Sequence, residues 1–271
     1  MKHKNAKIVI FSDLDGTLLD EKYDYQNIAP IISQLLALNV SLAFCSSKTR
    51  AEIEFYREKM GITEPFIAEN GSAIFIPKNY FPLNYKFTRE TAGFRIIELG
   101  VPYSTARKKL AKIKMITAAD IVGFGDMTLE EIAKDTGLTL NLAKLAKKRE
   151  YDEPFRIVKG NEEEVLSTIE KEGLNCIKSR KYFHLLGNSD KGKAAIILRD
   201  LYAQKFGRIA TLGVGDSPDD LPMLKIVDKP FLVKKTSSEN ANYIVWRKIL
   251  TLVTKLVNTE DKSLTTQFSS S

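Results

Sequence analysis

The chain predicts an α/β fold: a Rossmann-like core with a parallel sheet, interrupted by an inserted α+β cap domain. Three observations carry this. Strand-like apolar runs alternate with amphipathic helical patterns over residues 7–76. Composition then shifts over 77–92, where Pro77, Pro82 and several Asn, Lys and Thr residues intervene. The strand–helix alternation resumes at 189, after a block of mixed strands and helices. Alternation of this kind makes strands parallel and puts helices on the sheet faces. The expected divisions are core over 1–84, cap over 85–186, core again over 187–258 and a disordered tail over 259–271.

The elements follow in order. Ile8-Val9-Ile10-Phe11 is rich in strand-forming residues, and residues 7–12 read as a buried strand. Ile28, Ile31, Ile32, Leu35 and Leu36 lie at helical spacing, so 26–38 is a helix. Residues 40–45 are a second strand, and Ser46-Ser47-Lys48-Thr49 opens a helix that Gly61 ends. Residues 66–68 and 72–76 are extended on either side of a turn at Asn70-Gly71. In the inserted block, 94–99, 154–159, 174–178 and 182–186 are strand candidates. Helix candidates there are 104–112, 128–136, 139–149 and 161–172; Thr128 and Glu131 have capping-box spacing. Beyond it come a helix over 190–206 and strands over 209–214 and 228–233. The polar end, Thr-Thr-Gln-Phe-Ser-Ser-Ser, suits a disordered tail.

Composition narrows the function classes. The 271 residues, 44% apolar and 28% charged, suit a globular protein with a real core. No apolar run reaches the roughly 18–20 residues needed to span a bilayer, and no signal segment opens the chain. A cytoplasmic protein without a membrane partner is expected, and no obligate protein partner is evident. Cys45 and Cys176 lack metal-ligand spacing and read as free thiols. The net charge of +7 is mild. Basic clusters at 144–149 and 178–181 lack any nucleic-acid recognition motif, so they read as solvated faces or as attraction for a small anion, with no nucleic-acid partner.

Four segments carry chemistry. Asp13-Leu14-Asp15-Gly16-Thr17 follows the first strand and Ser46-Ser47-Lys48 the second. Lys191 opens a helix, and Gly215-Asp216-Ser217-Pro218-Asp219-Asp220 follows the strand over 209–214. Ligands bind outside the carboxyl ends of strands in open α/β sheets, so these segments are able to converge. Paired carboxylates hold a divalent cation, or one attacks an electrophile while the other moves a proton. Asp13, Asp216 and the Asp15 carbonyl suit Mg²⁺. Ser46 and Lys191 suit phosphoryl oxygens.

DxDGT, the Ser after the second strand, the Lys before a helix and GDxxxD together resemble the motifs of the haloacid dehalogenase superfamily of phosphatases. An insertion between the second and third motifs is similar to the large α/β cap of its sugar-phosphate subclass. The segments 45–52, 67–77 and 187–195 resemble its mannosyl-3-phosphoglycerate phosphatase branch; over the cap, 148–151 and 179–184 are the similar parts. The resemblance implies that Asp13 attacks phosphorus and that Asp15 moves the proton. It also implies that Asp13, Asp15 and Asp216 ligate Mg²⁺ and that Ser46 and Lys191 orient the phosphoryl group. Asp220 would support the metal site from behind. Asp219 departs from the usual Asn, so it is either a ligand or a supporting acceptor. Ser47, Lys48, Asn188 and Ser189 join the candidates for substrate binding. So do Glu69 and Asn70, otherwise a plain turn, and Arg180, whose guanidinium suits a carboxylate. The implied substrate is a small anionic sugar phosphate, mannosyl-3-phosphoglycerate first and the glucosyl form or another sugar phosphate as the alternative. A phosphomutase and a non-catalytic binding module are the remaining readings. His184 reads as a packed strand residue.

Overall fold

A computed structural model describes residues 6–179, 182–234 and 241–265. Its first sheet is parallel, and β1 (Lys7–Ser12) lies at its centre. Helix α1 (Ala29–Ala37) leads to β2 (Ser41–Phe44) on one side of β1, and α2 (Arg50–Met60) follows. Strands β3 (Phe66–Ala68) and β4 (Ala73–Pro77) begin a second, antiparallel sheet, which β5 (Arg89–Glu90) and β6 (Phe94–Glu98) complete. A parallel bridge between Cys45 and Ile67 joins the two sheets. Residues 94–98, read from sequence as part of the inserted block, therefore pair with β4, Ile97 opposite Ile74. The edge of β4 is open to them, and Ile96 is buried there.

The chain then runs through α3 (Tyr103–Thr117), β7 (Asp120–Gly123), α4 (Leu129–Thr136), α5 (Leu140–Ala146), β8 (Glu153–Lys159), α6 (Glu162–Lys171), β9 (Asn175–Ser179) and β10 (Tyr182–Leu186). These strands form an antiparallel sheet in the order β7-β8-β10-β9. Along β10, alternate residues face opposite sides. Phe183 and Leu185 pack with α3 and α6, while Tyr182 packs with α4 and α5. Strand β7 was not legible: it is short, and its Gly123 lies against Glu153 and Arg107, which a Cβ would strike. The departure and return of this insertion are adjacent. A Cβ on Gly187 would lie 2.9 Å from the Val101 nitrogen.

Helix α7 (Lys191–Phe206), β11 (Ile209–Gly215), α8 (Leu221–Leu224), β12 (Lys229–Leu232) and α9 (Ala241–Thr265) complete the chain. Strand β11 pairs in parallel with β1, Phe11 opposite Gly213, and β12 pairs outside it. Side chains of β1 alternate between two cores: Ile8 and Ile10 face α1 and α9, while Val9 and Phe11 face α7. Burial on both faces explains why this strand is apolar without alternation. Helix α9 runs through 259–265, where a disordered tail was expected; residues 266–271 lie outside the described ones. No helix among the described residues is long and apolar enough to cross a membrane. Cys45 and Cys176 are free thiols.

Trp246 of α9 is fully buried, and its indole Nε1–H donates to the Thr17 carbonyl at 3.0 Å. The last helix thereby holds the loop that follows β1. Trp246→Ala is expected to lower the unfolding free energy by about 3–5 kcal/mol, as read by urea denaturation. A loss below about 1 kcal/mol would assign the loop's anchorage elsewhere.

Candidate active site

Parallel pairing of β1 and β11, with Ser12 opposite Val214, sends Asp13 and Asp216 out of the same sheet edge. The chain leaves β1 toward β2 on one side and β11 toward β12 on the other. A reversal of strand order of this kind opens a crevice at the carboxyl ends. Asp13, Asp216 and Asp220 each bring a carboxylate oxygen to within 4.8 Å of the others. The Lys191 ammonium sits among them, 3.1 Å from Asp13 Oδ1, 3.0 Å from Asp219 Oδ2 and 2.6 Å from Asp220 Oδ1.

Local structure fixes each group. Asp190 caps α7 by accepting the Lys193 amide at 2.8 Å, so Lys191 is the first residue of the helix. Asp220 Oδ2 accepts the amides of Asp216 and Ser217 at 2.9 and 3.1 Å. Both Asp220 oxygens thus hold protein donors, and the residue braces the loop after β11. Gly215 is required there, because a Cβ would lie 2.4 Å from the Asp220 Cβ. Asp219 accepts from the Ser217 hydroxyl at 2.6 Å besides pairing with Lys191.

Electrostatics follow from the burial of one cation among several acids. Burial alone would lower the Lys191 pKa, but Asp13, Asp220 and Asp219 overcome it and hold the ammonium well above its usual range. Burial pushes the Asp13 carboxyl well up, against the pull of Lys191 and with the push of Asp220 and Asp219. Lys191 holds Asp219 below the usual carboxylate range although burial opposes it. Negative charge exceeds positive here, so the donor set fits a divalent cation held by carboxylate oxygens.

The Ser46 segment adds a second cation. Lys48 is buried, with its ammonium 3.0 Å from Asp15 Oδ1 and 3.2 Å from Glu52 Oε1. Burial would lower its pKa; Asp15 and Glu52 outweigh that and raise it. Ser46 is buried and its hydroxyl accepts the Lys48 amide at 3.3 Å. The cap of α2 is Thr49 and not Ser46, through a complete capping box with Glu52. The helix accordingly opens later than expected, at Arg50.

Other expected ligand residues turn toward protein partners. Glu69 and Asn70 are buried at positive φ, 48° and 58°. Glu69 accepts the amides of Glu150, Tyr151 and Asp152 at 2.9, 3.0 and 2.8 Å, with the Arg149 guanidinium 3.5 Å away. Asn70 Nδ2 donates to Asp152 Oδ2 at 2.9 Å. They tie the core to the insertion, and neither lines the cavity described below. Gly71, at φ 88°, has no room for a side chain, since a Cβ would lie 2.1 Å from the Asp190 oxygen. Ser189 is buried with its hydroxyl 3.2 Å from that of Ser72, and exposed Asn188 accepts from Lys193 at 2.7 Å. Arg180 lies outside the described residues.

Arg149, read from sequence as a solvated surface cation, is instead buried. Its guanidinium lies 2.7 Å from Asp152 Oδ2 and donates to the Ser47 carbonyl at 3.1 Å. Asp152 Oδ2 also faces His184 Nδ1 at 2.8 Å. Burial would raise Asp152, but Arg149 and His184 outweigh it and hold the carboxyl below its usual value. His184, Arg149 and Lys48 line a cavity of about 570 Å³, together with Asp13, Asp15, Ser47, Asp216 and Asp219. Its far wall comes mainly from the insertion. The alternation of β10 was the one sequence signal for His184: position 184 shares a sheet face with Tyr182, which lines the same cavity.

The chain belongs to the haloacid dehalogenase-like hydrolases, whose family profile matches residues 10–245. Within that family, it is 44% identical over 252 residues to the glucosyl-3-phosphoglycerate/mannosyl-3-phosphoglycerate phosphatase of Methanococcoides burtonii, covering 92% of this chain and 91% of that protein. It is 41% identical over 241 residues to the mannosyl-3-phosphoglycerate phosphatase of Pyrococcus horikoshii, covering 88% and 96%. A Thermoplasma acidophilum crystal structure superposes with TM-score 0.63 at 18% identity, over 93% of this chain and 100% of that one. A subclass IIB sugar phosphatase of the superfamily superposes with TM-score 0.58 at 15% identity, over 87% and 91%. At such identities the structural likeness speaks for the fold.

The Glu69 network generates a prediction. Glu69→Gln replaces one acceptor oxygen by a donor facing backbone amides and breaks a buried ion pair. A stability loss on the order of 3 kcal/mol is expected, with faster tryptic cleavage after Arg149. Unchanged cleavage kinetics would show that Glu69 does not hold the 149–152 segment.

Proposed function

We propose that this protein is a Mg²⁺-dependent phosphatase that hydrolyses mannosyl-3-phosphoglycerate to mannosylglycerate and phosphate. The observation that carries the reading is the buried Lys191 held by Asp13, Asp219 and Asp220; Asp13 and Asp219 open, with Asp216, onto a cavity that also bears Lys48, Arg149 and His184. A substrate with both a phosphate and a carboxylate suits cations at both places. The names of the relatives agree with it. Hydrolysis of the glucosyl form is the second reading, favoured by two relatives named for both sugars.

In this reading Asp13 attacks phosphorus, the bond from phosphorus to the glycerate oxygen breaks, and Asp15 hands that oxygen its proton. Water then attacks the aspartyl phosphate, Asp15 takes its proton, and the Asp13 carboxylate is restored. Lys48, 3.0 Å from Asp15, fixes where that carboxylate lies. Lys191 and Ser46 orient the phosphoryl oxygens. Asp13, Asp216 and the Asp15 carbonyl would hold Mg²⁺, which neutralises charge on the phosphoryl group and on the acids around it. Asp219 and Asp220 seat Lys191 and the loop after β11. Glu69, Asn70 and Ser189 act as positioning residues for the junction with the insertion, which we take as a cap. Closure of that cap over the substrate excludes bulk water. The free thiols Cys45 and Cys176 support a cytoplasmic location.

Asp13→Asn is expected to lower phosphate release by roughly 10³-fold or more while the thermal melting curve stays within a few degrees. Turnover near the parent's rate would remove Asp13 from the nucleophile's role. Treatment with a chelator is expected to abolish release, and added Mg²⁺ to restore it. Full activity in the chelated protein would remove the metal from the reading.

A further inference from the structure

The cavity has two chemically different walls. One carries Lys48, Arg149 and His184 beside the acids of the sheet edge. The other carries Tyr23, Phe124, Asp135, Leu138 and Tyr182. Tyr23 belongs to the loop after β1; the rest belong to the insertion.

Asp135 is the polar centre of the second wall, in the last turn of α4. Its Oδ1 pairs with Arg156 Nη1 at 3.0 Å, and its Oδ2 accepts from the Tyr182 hydroxyl. Arg156 lies 5.6 Å from the centre of the Tyr182 ring, and Phe124 meets that ring edge-on at 5.0 Å. These contacts fix the carboxylate before any ligand arrives. Tyr23 is equally constrained. Its φ is 61°, its hydroxyl donates to the Thr136 carbonyl at 2.8 Å, and its own carbonyl accepts from Tyr56 at 3.1 Å. Backbone strain of this kind costs about 1–3 kcal/mol and collects where a side chain has to be held in place.

The chemistry of this wall selects one part of a substrate. Asp135 is paired with Arg156, and the described residues of this wall offer no cation to the cavity, so an anionic end finds its positive partners in Lys48, Arg149 and His184 on the other wall. Neutral hydroxyl groups donate to the remaining lone pairs of the Asp135 carboxylate. Aromatic and leucine surfaces match the C–H faces of a saturated ring. A hexose presents both. We propose that Asp135, flanked by Tyr23 and Tyr182, binds the hexosyl group through its hydroxyls and determines specificity for a glycosylated substrate. This rests on the functional reading above. Because Tyr23 comes from the core and Asp135 from the insertion, the subsite is complete only when the two are together, which couples sugar recognition to closure.

The test compares kcat/KM for mannosyl-3-phosphoglycerate and for 3-phosphoglycerate, which carries the phosphate and carboxylate without the sugar. The parent protein is expected to prefer the glycosylated substrate by roughly 10²-fold or more. Asp135→Ala and Tyr23→Ala are each expected to cut that ratio by about tenfold or more, with most of the change in KM for the glycosylated substrate. Tyr23 also joins the insertion through Thr136, so thermal melting is read for both variants, and Asp135→Asn, which keeps the shape of the side chain, stays informative if either alanine variant loosens the insertion. A role in folding alone lowers both substrates together and leaves the ratio unchanged, and that result overturns the assignment. A parent protein that hydrolyses both substrates equally also overturns it. A parent inactive on the glycosylated substrate overturns the functional reading itself.

Discussion

The burial of Lys191 is the constraint on which the site depends. An ammonium taken out of water is costly unless opposite charge meets it at close range. Asp13, Asp219 and Asp220 do so within about 3 Å, and the requirement reaches well beyond them. Asp190 must begin α7 at the right residue, Gly71 must let the backbone before Lys191 pass against it, and Gly192 must lie against Pro222 without a side chain. Several features that look unrelated along the chain are thus conditions for seating one cation. The surplus of carboxylates that remains suits a site whose charge is completed by a divalent ion and a phosphoryl group.

A second buried network joins the core to the insertion. Glu69, Asn70, Arg149, Asp152 and His184 link a left-handed turn of the core to the start of β8 and to β10. The three backbone amides held by Glu69 offset the cost of its positive φ. The same network carries Arg149 and His184 into the cavity wall, so residues that fasten the two parts also supply its positive charge. Tyr23 performs the matching task on the other side, where it meets Thr136.

Much of this was legible from the chain. The DxDGT and GDSPDD segments follow apolar runs, and parallel pairing of those runs suffices to bring Asp13 and Asp216 together. Lys191 was legible from its place at a helix start between those motifs. The cavity wall was not. Glu69 and Asn70 look like ligands or a turn, and only the fold reveals that the amides of 150–152 come to meet them. Arg149 sits in a lysine-rich run, and nothing local marks it as the buried member. Asp135 and Tyr23 are ordinary residues of a helix end and a loop; their proximity depends on how the insertion lies over the sheet. Strand β7 escaped because only Ile121 and Val122 of its four residues are strand-forming, set between an aspartate and a glycine. The last helix lies beyond the motifs, and its role emerges only through the contact of Trp246 with Thr17.

The insertion leaves the core at Val101 and returns at Gly187, and these two positions are in contact. From the core's side the intervening chain is therefore a closed excursion. Its length and internal design do not alter the distance that the core has to bridge, and loop-closure entropy grows only with the logarithm of length. A module attached in this way is open to exchange. Another insertion of different size or architecture, with ends equally close, leaves the geometry around Asp13, Asp216 and Lys191 in place. One hydrolytic centre is then compatible with many recognition surfaces, and the evolution of substrate range is separated from the evolution of the reaction.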